Sequence, residues 1–293
     1  MSAKVVEIVT NKIIAKMEEG VIPWNKAWMT VENRPRNMVT GKHYRGINAL
    51  IASSMVSGYE DPNWVTRNQI QKMGMKVIPE EKYTPILFFT WVEKVVDGVK
   101  KNIPFLRFYQ VYNRRQLEGN ETTWPIIDDS SSVVMPVEGW EVKAQDMLDQ
   151  YLTSIDPPSL KFGYVSCWYR PVQDLVGMPH RSKFFSSAEY WSSMFHEMTH
   201  STAAKHRLNR DMKGYKHDKH AYSEEELVAE MGACFMMADL GVERHIDNSA
   251  AYIKGWLDKL KGDRNFLVKA SQRAQKAYDF MKGESYDSAK KAA

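Results

Sequence analysis

The sequence predicts an α+β protein in two parts, and three observations carry that reading. A basic first part with strand-like alternation is followed by a part dominated by helical periodicity. Residues 1–116 hold 18 basic and 10 acidic side chains, whereas residues 117–293 hold 22 and 26. Between them, residues 118–136 gather four acids, a serine run at 130–132 and prolines at 125 and 136, a composition that buries little. With 293 residues, and domains of roughly 100–200 residues each, the division expected is a first domain at 1–117, a linker at 118–137 and a second domain at 138–293.

The elements follow in order. Val5, Val6, Ile8, Val9, Ile13, Ile14 and Met17 fit an amphipathic helix that should stop before Gly20. A segment rich in turn formers and basic groups follows, then an apolar helix over residues 49–56. Residues 84–92 and 103–111 read as strands, the second alternating with Phe105, Arg107, Tyr109 and Val111 on one side. In the second part, residues 162–169 resemble a strand. Helices are expected from Ser186 through His200, from Ser223 through Phe235, from Ala250 to about Lys261, and over residues 265–281.

Several classes are excluded. No stretch approaches the roughly 18 apolar residues a membrane span needs, and the N-terminus carries no secretory pattern. Cys167 and Cys234 stand far apart, so neither a cysteine-rich zinc module nor a disulfide scaffold is expected, and the reducing cytoplasm is the expected compartment.

The chemistry concentrates at residues 196–200, His-Glu-Met-Thr-His. With 8 histidines in the chain, a chance match to this spacing has odds of about 1 in 100. On a helix, His196 and His200 project from one face, where both imidazoles can bind one Zn²⁺, and Glu197 lies beside them as a base for a water. A third ligand is needed, and a carboxylate from a later helix is the usual source. Glu226 and Glu230 flank the apolar stripe of the helix that Ser223 caps. Glu226 is assigned as ligand and Glu230 as the partner of a ligand histidine, with Glu230 the alternate ligand. A capping box at Ser223 would compete for the Glu226 carboxylate. Glu224 and Glu225 read as solvated first-turn charges. Mn²⁺ or Co²⁺ suit the same donors.

In the first part, Trp24, Trp28, Tyr44 and Tyr109 are interleaved with Arg34, Arg36, Lys42, Arg45 and Arg107, and Asn48 lies in the same basic segment. Aromatic faces stack on unpaired bases while cations follow phosphates, which is how single strands are bound with little sequence preference. For any one aromatic, however, a place in the core is the ordinary reading.

Taken together, these segments resemble the ArdC antirestriction proteins of conjugative plasmids and other mobile elements. The resemblance covers nearly the whole chain. It rests on residues 20–24 (Gly-Val-Ile-Pro-Trp), 35–37, 40–48 (Thr-Gly-Lys-His-Tyr-Arg-Gly-Ile-Asn), 108–113, 178–179, 185–190, 196–200, 206–210 (His-Arg-Leu-Asn-Arg), 225–230 (Glu-Glu-Leu-Val-Ala-Glu) and 251–256. It implies an N-terminal single-stranded-DNA-binding domain, a C-terminal zincin-like metallopeptidase domain, and protection of incoming DNA from host restriction. It also implies a carboxylate ligand from the 225–230 helix. Two functions are left open: a DNA-targeted zinc peptidase acting on a DNA-bound host protein, and a non-catalytic DNA-binding shield with a structural or vestigial zinc site.

Overall fold

Val5, Val9, Ile13 and Met17 lie buried along one side of α1 (Ser2–Glu18) in the computed structural model, which describes residues 2–24, 34–96, 99–119, 138–212, 223–244 and 250–284. The helix stops where the sequence requires. Gly20, at φ 83°, takes the left-handed conformation that lets its N–H and that of Val21 reach back to the carbonyls of Met17 and Lys16.

The apolar run expected as one helix over 49–56 is two, α2 (Ile47–Ala52) and α3 (Ser54–Ser57). Ser53 between them is extended, at ψ 153°, and its hydroxyl donates to the Leu50 carbonyl at 2.6 Å. The serine thus offers the backbone a local alternative to continued helix.

Strands β1 (Arg36–Asn37), β2 (Asn63–Thr66), β4 (Thr84–Val96) and β5 (Val99–Asn113) form a sheet in the order β1-β2-β5-β4, with α4 (Arg67–Lys72) after β2. Both strands of the β4–β5 hairpin run longer than the sequence pattern indicates. Their register pairs Ile86 with Tyr109 and Phe88 with Arg107, so these four residues share one face. A small ribbon of β3 (Lys76–Val77) and β6 (Leu117–Glu118) lies apart from this sheet.

After α5 (Trp140–Leu152) comes a second sheet, β7 (Ser159–Phe162), β8 (Trp168–Arg170) and β9 (Leu175–Met178), in the order β7-β9-β8. The single strand expected over 162–169 is therefore the end of one edge strand and the start of the other, with β9 between them. Gly177 is required here, because a Cβ on it would lie 2.4 Å from the Trp168 ring. Four helices complete the fold: α6 (Ser187–Ser201), α7 (Glu224–Asp239), α8 (Ala250–Gly262) and α9 (Phe266–Met281).

The hydrophobic core does not respect the division read from the sequence. One cluster joins Val9 and Ile13 of α1, Trp24 and Leu50 to Met194, Phe235, Trp256 and Leu267. Helix α1 packs on α8, and α2 on α9. Most of the expected linker lies outside the described residues. No helix among the described residues is long and apolar enough to cross a membrane.

Candidate metal centre

Helix α6 begins as its sequence dictates, with Ser186 Oγ accepting from the Glu189 N–H at 3.1 Å. It packs against β8 and β9 on one side and α7 on the other, which buries Tyr190, Trp191, Met194, Phe195 and Met198. Ser223 caps α7 through the Glu226 N–H at 3.2 Å. The reciprocal half of a capping box is not what occupies the Glu226 carboxylate, which turns towards α6 instead.

Gly232 sets how closely the two helices approach. A Cβ there would stand 2.5 Å from Thr199 Cγ2 and 2.6 Å from its Oγ1, so only glycine fits opposite Thr199. The close crossing places Glu226, earlier on α7, across from both histidines. His196 Nε2 and His200 Nε2 are 3.2 Å apart, and Glu226 presents Oε2 to His196 at 3.4 Å and Oε1 to His200 at 3.6 Å. All three donor groups lie within 4.8 Å of one another, the one such group among the described residues. Tetrahedral coordination with bonds of about 2.0–2.1 Å sets donors about 3.3–3.4 Å apart. The donors present therefore suit a divalent cation in spacing and in kind.

Glu197 lies beside them, 7% exposed, and its Oε2 has no hydrogen-bond partner. A buried carboxylate oxygen left unsatisfied by protein is one aimed at something else. Burial pushes Glu197 above the usual carboxylate range, with His196 and His200 pulling the other way. Burial alone would lower His200, but its bonds to Glu225 and Glu226 outweigh that and raise it. Glu226 is the converse: burial raises it, and the two histidines carry it well below its ordinary value.

The remaining acids of α7 divide the work. Glu230 Oε1 stands 3.8 Å from His196 Nδ1, on the far side of that ring from Glu226, so Glu226 is the carboxylate beside both Nε2 atoms. Glu225, read from sequence as a solvated charge, is corrected. It is 3% exposed, lies 3.3 Å from His200 Nδ1, and is forked by Arg210 at 2.9 and 2.6 Å. Its place one residue before Glu226 turns it to the other side of His200. No local signal marked it, because Arg210 lies fifteen residues earlier in the chain and meets Glu225 only through the fold. Glu224 pairs with Arg273. His206 stands 3.5 Å from Asp174, while His217, His220 and His245 lie outside the described residues.

The residues expected to bind nucleic acid fare unevenly. Trp24 cannot stack on a base: it is 0% exposed and packs edge-on against Trp256 at 6.0 Å. Asn48 is likewise structural, exchanging bonds of 2.6 and 2.8 Å with the Leu87 backbone and tying α2 to β4. Arg34 donates to Asp239 at 3.3 Å and Arg45 pairs with Asp279, so both bind the first part of the chain to the second. Arg36 donates to Asn63 at 3.0 Å, and Tyr44 is packed against the core. Lys42, Arg107 and Tyr109 are exposed. Sequence reasoning missed Phe88, which is 39% exposed and meets the Tyr109 ring edge-to-face at 6.1 Å. Trp28 lies outside the described residues.

Comparison with known proteins adds to this geometry. A family model for a zincin-like metallopeptidase matches residues 150–273, and a model for the N-terminal domain of the anti-restriction factor ArdC matches residues 3–112. The chain is 27% identical over 304 residues to the DNA primase TraC of Escherichia coli, covering 94% of this chain but only 27% of TraC. It is 28% identical to the uncharacterized protein y4eC of Sinorhizobium fredii (strain NBRC 101917 / NGR234), covering 96% of this chain and 92% of that one. Among solved structures, the metal-free antirestriction ArdC protein from the R388 plasmid matches with a TM-score of 0.71 at 31% identity, over 94% of this chain and 96% of that one. Its Mn(II)-bound form matches with a TM-score of 0.73 at 30% identity, over 95% and 97%.

Proposed function

The chain belongs to the ArdC family of antirestriction proteins, and from that premise we propose that it pairs a single-stranded-DNA-binding surface with a metal-dependent peptidase site, protecting incoming DNA from host restriction. His196, His200 and Glu226 hold the metal, with Zn²⁺ the first choice and Mn²⁺ or Co²⁺ compatible with the same donors. The observation that carries the reading is Glu197: a buried carboxylate with an unpaired oxygen beside three converging donors. A purely structural site has no use for a base in that position.

When bound, a divalent cation supplies Lewis acidity to a water and to a carbonyl oxygen. The chain's own residues do the rest. Glu197 takes a proton from the water and later gives it to the leaving amine, and its burial favours accepting that proton. Glu225 holds the His200 ring from behind, and Glu230 lies behind the His196 ring.

For nucleic acid, support comes from the hairpin, where the exposed Phe88 and Tyr109 rings adjoin Arg107 on one face. The partner of the peptidase site is a protein bound to that DNA. Protein purified without added metal should carry about one equivalent of divalent cation, falling to near zero in His196→Ala. Equal metal in both would refute the site. Protection of DNA against a restriction enzyme in cells, wild type against Glu197→Gln, separates the two functions. Undiminished protection by the variant favours a non-catalytic shield.

A further inference from the structure

Two buried arginines lie just behind the donor cluster, and their placement follows one pattern. Arg210 comes from the segment after α6 and reaches across to α7, where its Nε and Nη2 fork Glu225 at 2.9 and 2.6 Å. The same guanidinium holds the C-terminal end of α6, donating to the Thr199 carbonyl at 2.8 Å and to Thr202 Oγ1 at 2.6 Å. Arg244 comes from the segment after α7 and reaches across to α6, donating to Ser192 Oγ at 2.7 Å. It also holds α7, through the Glu230 carbonyl at 2.6 Å and Glu230 Oε2 at 2.7 Å. Their side chains are 5% and 6% exposed. Each helix is thus tied to the other by an arginine from its own trailing segment, one tie on each side of the site.

We propose that Arg210 and Arg244 are positioning residues for the metal: Arg210 fixes His200 through the Glu225 carboxylate, Arg244 holds Glu230 in place beside His196, and together they hold α6 and α7 at the spacing that brings the three donors together. The inference rests on the metal reading above. Its physical basis is twofold. A carboxylate that accepts from a histidine Nδ1–H leaves Nε2 without a proton, with its lone pair directed at the metal. That orientation is only as fixed as the carboxylate: the Arg210 fork fixes Glu225 in plane and in direction, and Arg244 Nη1 holds Glu230 by its carbonyl and one carboxylate oxygen. Charge matters as well. Glu197, Glu225, Glu226 and Glu230 bring four formal negative charges to one crossing, and the two arginines pair with two of them. The two left over match one divalent cation.

The test uses the full chain and Mn(II) alone, with unbound Mn(II) counted by its EPR signal and the melting temperature of the metal-free protein recorded in parallel. Arg210→Met and Arg244→Met should each weaken Mn(II) binding by about 10–100-fold, the range for partners that orient metal ligands. Because Arg210 acts through Glu225, the Arg210→Met/Glu225→Gln double variant should bind within about twofold of Arg210→Met alone, the two losses sharing one cause. Arg210→Lys keeps the charge without the fork and should recover only part of the affinity. Should Arg210→Met fail to fold, Arg210→Lys carries the same criterion. Melting temperatures that fall while Mn(II) affinity stays within about twofold, or losses that multiply in the double variant, would overturn the proposal. Wild type binding Mn(II) no better than His196→Ala would instead overturn the metal reading beneath it.

Discussion

The crossing of α6 and α7 and the hairpin of β4 and β5 place polar and aromatic side chains in opposite settings. At the crossing, Glu225, Arg210 and Arg244 are nearly inaccessible and bonded to named partners on the neighbouring helix. On the hairpin, Phe88 and Tyr109 are 39% and 47% exposed and Arg107 stands beside them. The crossing holds a geometry that loosening by a few tenths of an ångström would spoil. The hairpin offers a surface that tolerates many partners. A site that grips an ion needs its groups fixed before the ion arrives, whereas a surface that stacks on bases needs only flat faces and nearby cations.

The contrast can be broken most forcefully at Trp24, which sequence would group with the hairpin and structure groups with the core. Trp24→Ala should cost about 3–5 kcal/mol of stability, read by denaturant unfolding, as for other buried tryptophans. Any loss of DNA binding should then track the unfolded fraction. A folded, stable Trp24→Ala protein that binds single strands poorly would restore Trp24 to the DNA surface.

Gly232→Ala comes next. Its methyl would meet Thr199 at well under contact distance and force α6 from α7, costing about 1–3 kcal/mol of stability. Metal affinity should fall with it while single-strand affinity stays unchanged. A parallel loss of both would mean the two regions are coupled through the shared core.

On the hairpin, Tyr109→Ala should cost about 1–3 kcal/mol of single-strand affinity, nearly independent of salt. Arg107→Ala should reduce the salt slope by about 0.7 for the one phosphate contact removed. Neither should change melting temperature by much, and a large drop in either would move these residues into the structural class.

A further prediction concerns pH dependence without metal. His200 is raised from 6.5 to about 10, so its stabilisation is whole below pH 6.5 and is lost as pH rises through about 10. Glu226 is lowered from 4.5 to about 2, so its share is whole above pH 4.5 and is lost as pH falls through about 2. Melting temperature in chelator should therefore be best supported by this pair between pH 4.5 and 6.5 and decline on either side. With Mn(II) in excess the decline above neutrality should vanish, since binding metal removes the need for the histidine proton.

How much of this was legible in the sequence differs by residue. His196 and His200 could be placed on one face because four residues span close to one helical turn, whatever surrounds them. Ser186 and Ser223 marked both helix starts correctly, because capping is a local contest over a few N–H groups. Glu225 was misread because its neighbour in the chain, Glu226, absorbed the functional assignment, and nothing local says that Arg210 returns to meet it. Trp24 and Tyr109 look alike in sequence, both aromatic and each two residues from a cation, Lys26 and Arg107, yet one is buried against Trp256 and the other faces solvent.

The sequence by itself determined what depends on near neighbours: the α+β character, the helix caps, the stop at Gly20, the two histidines on one face with Glu197 between them. Tertiary structure alone decided what depends on segments far apart in the chain. It set Glu226, the acid that the sequence assigns with Glu230 as alternate, beside both Nε2 atoms through the approach that Gly232 permits. It made Arg34 and Arg45 links to Asp239 and Asp279 rather than a basic surface. It also ran one hydrophobic core through both parts of the chain, with α1 laid against α8. The physical reason is that caps and periodicities are settled by bonds within a turn or two, whereas burial and charge pairing depend on which distant surface arrives. Composition does not encode that arrival.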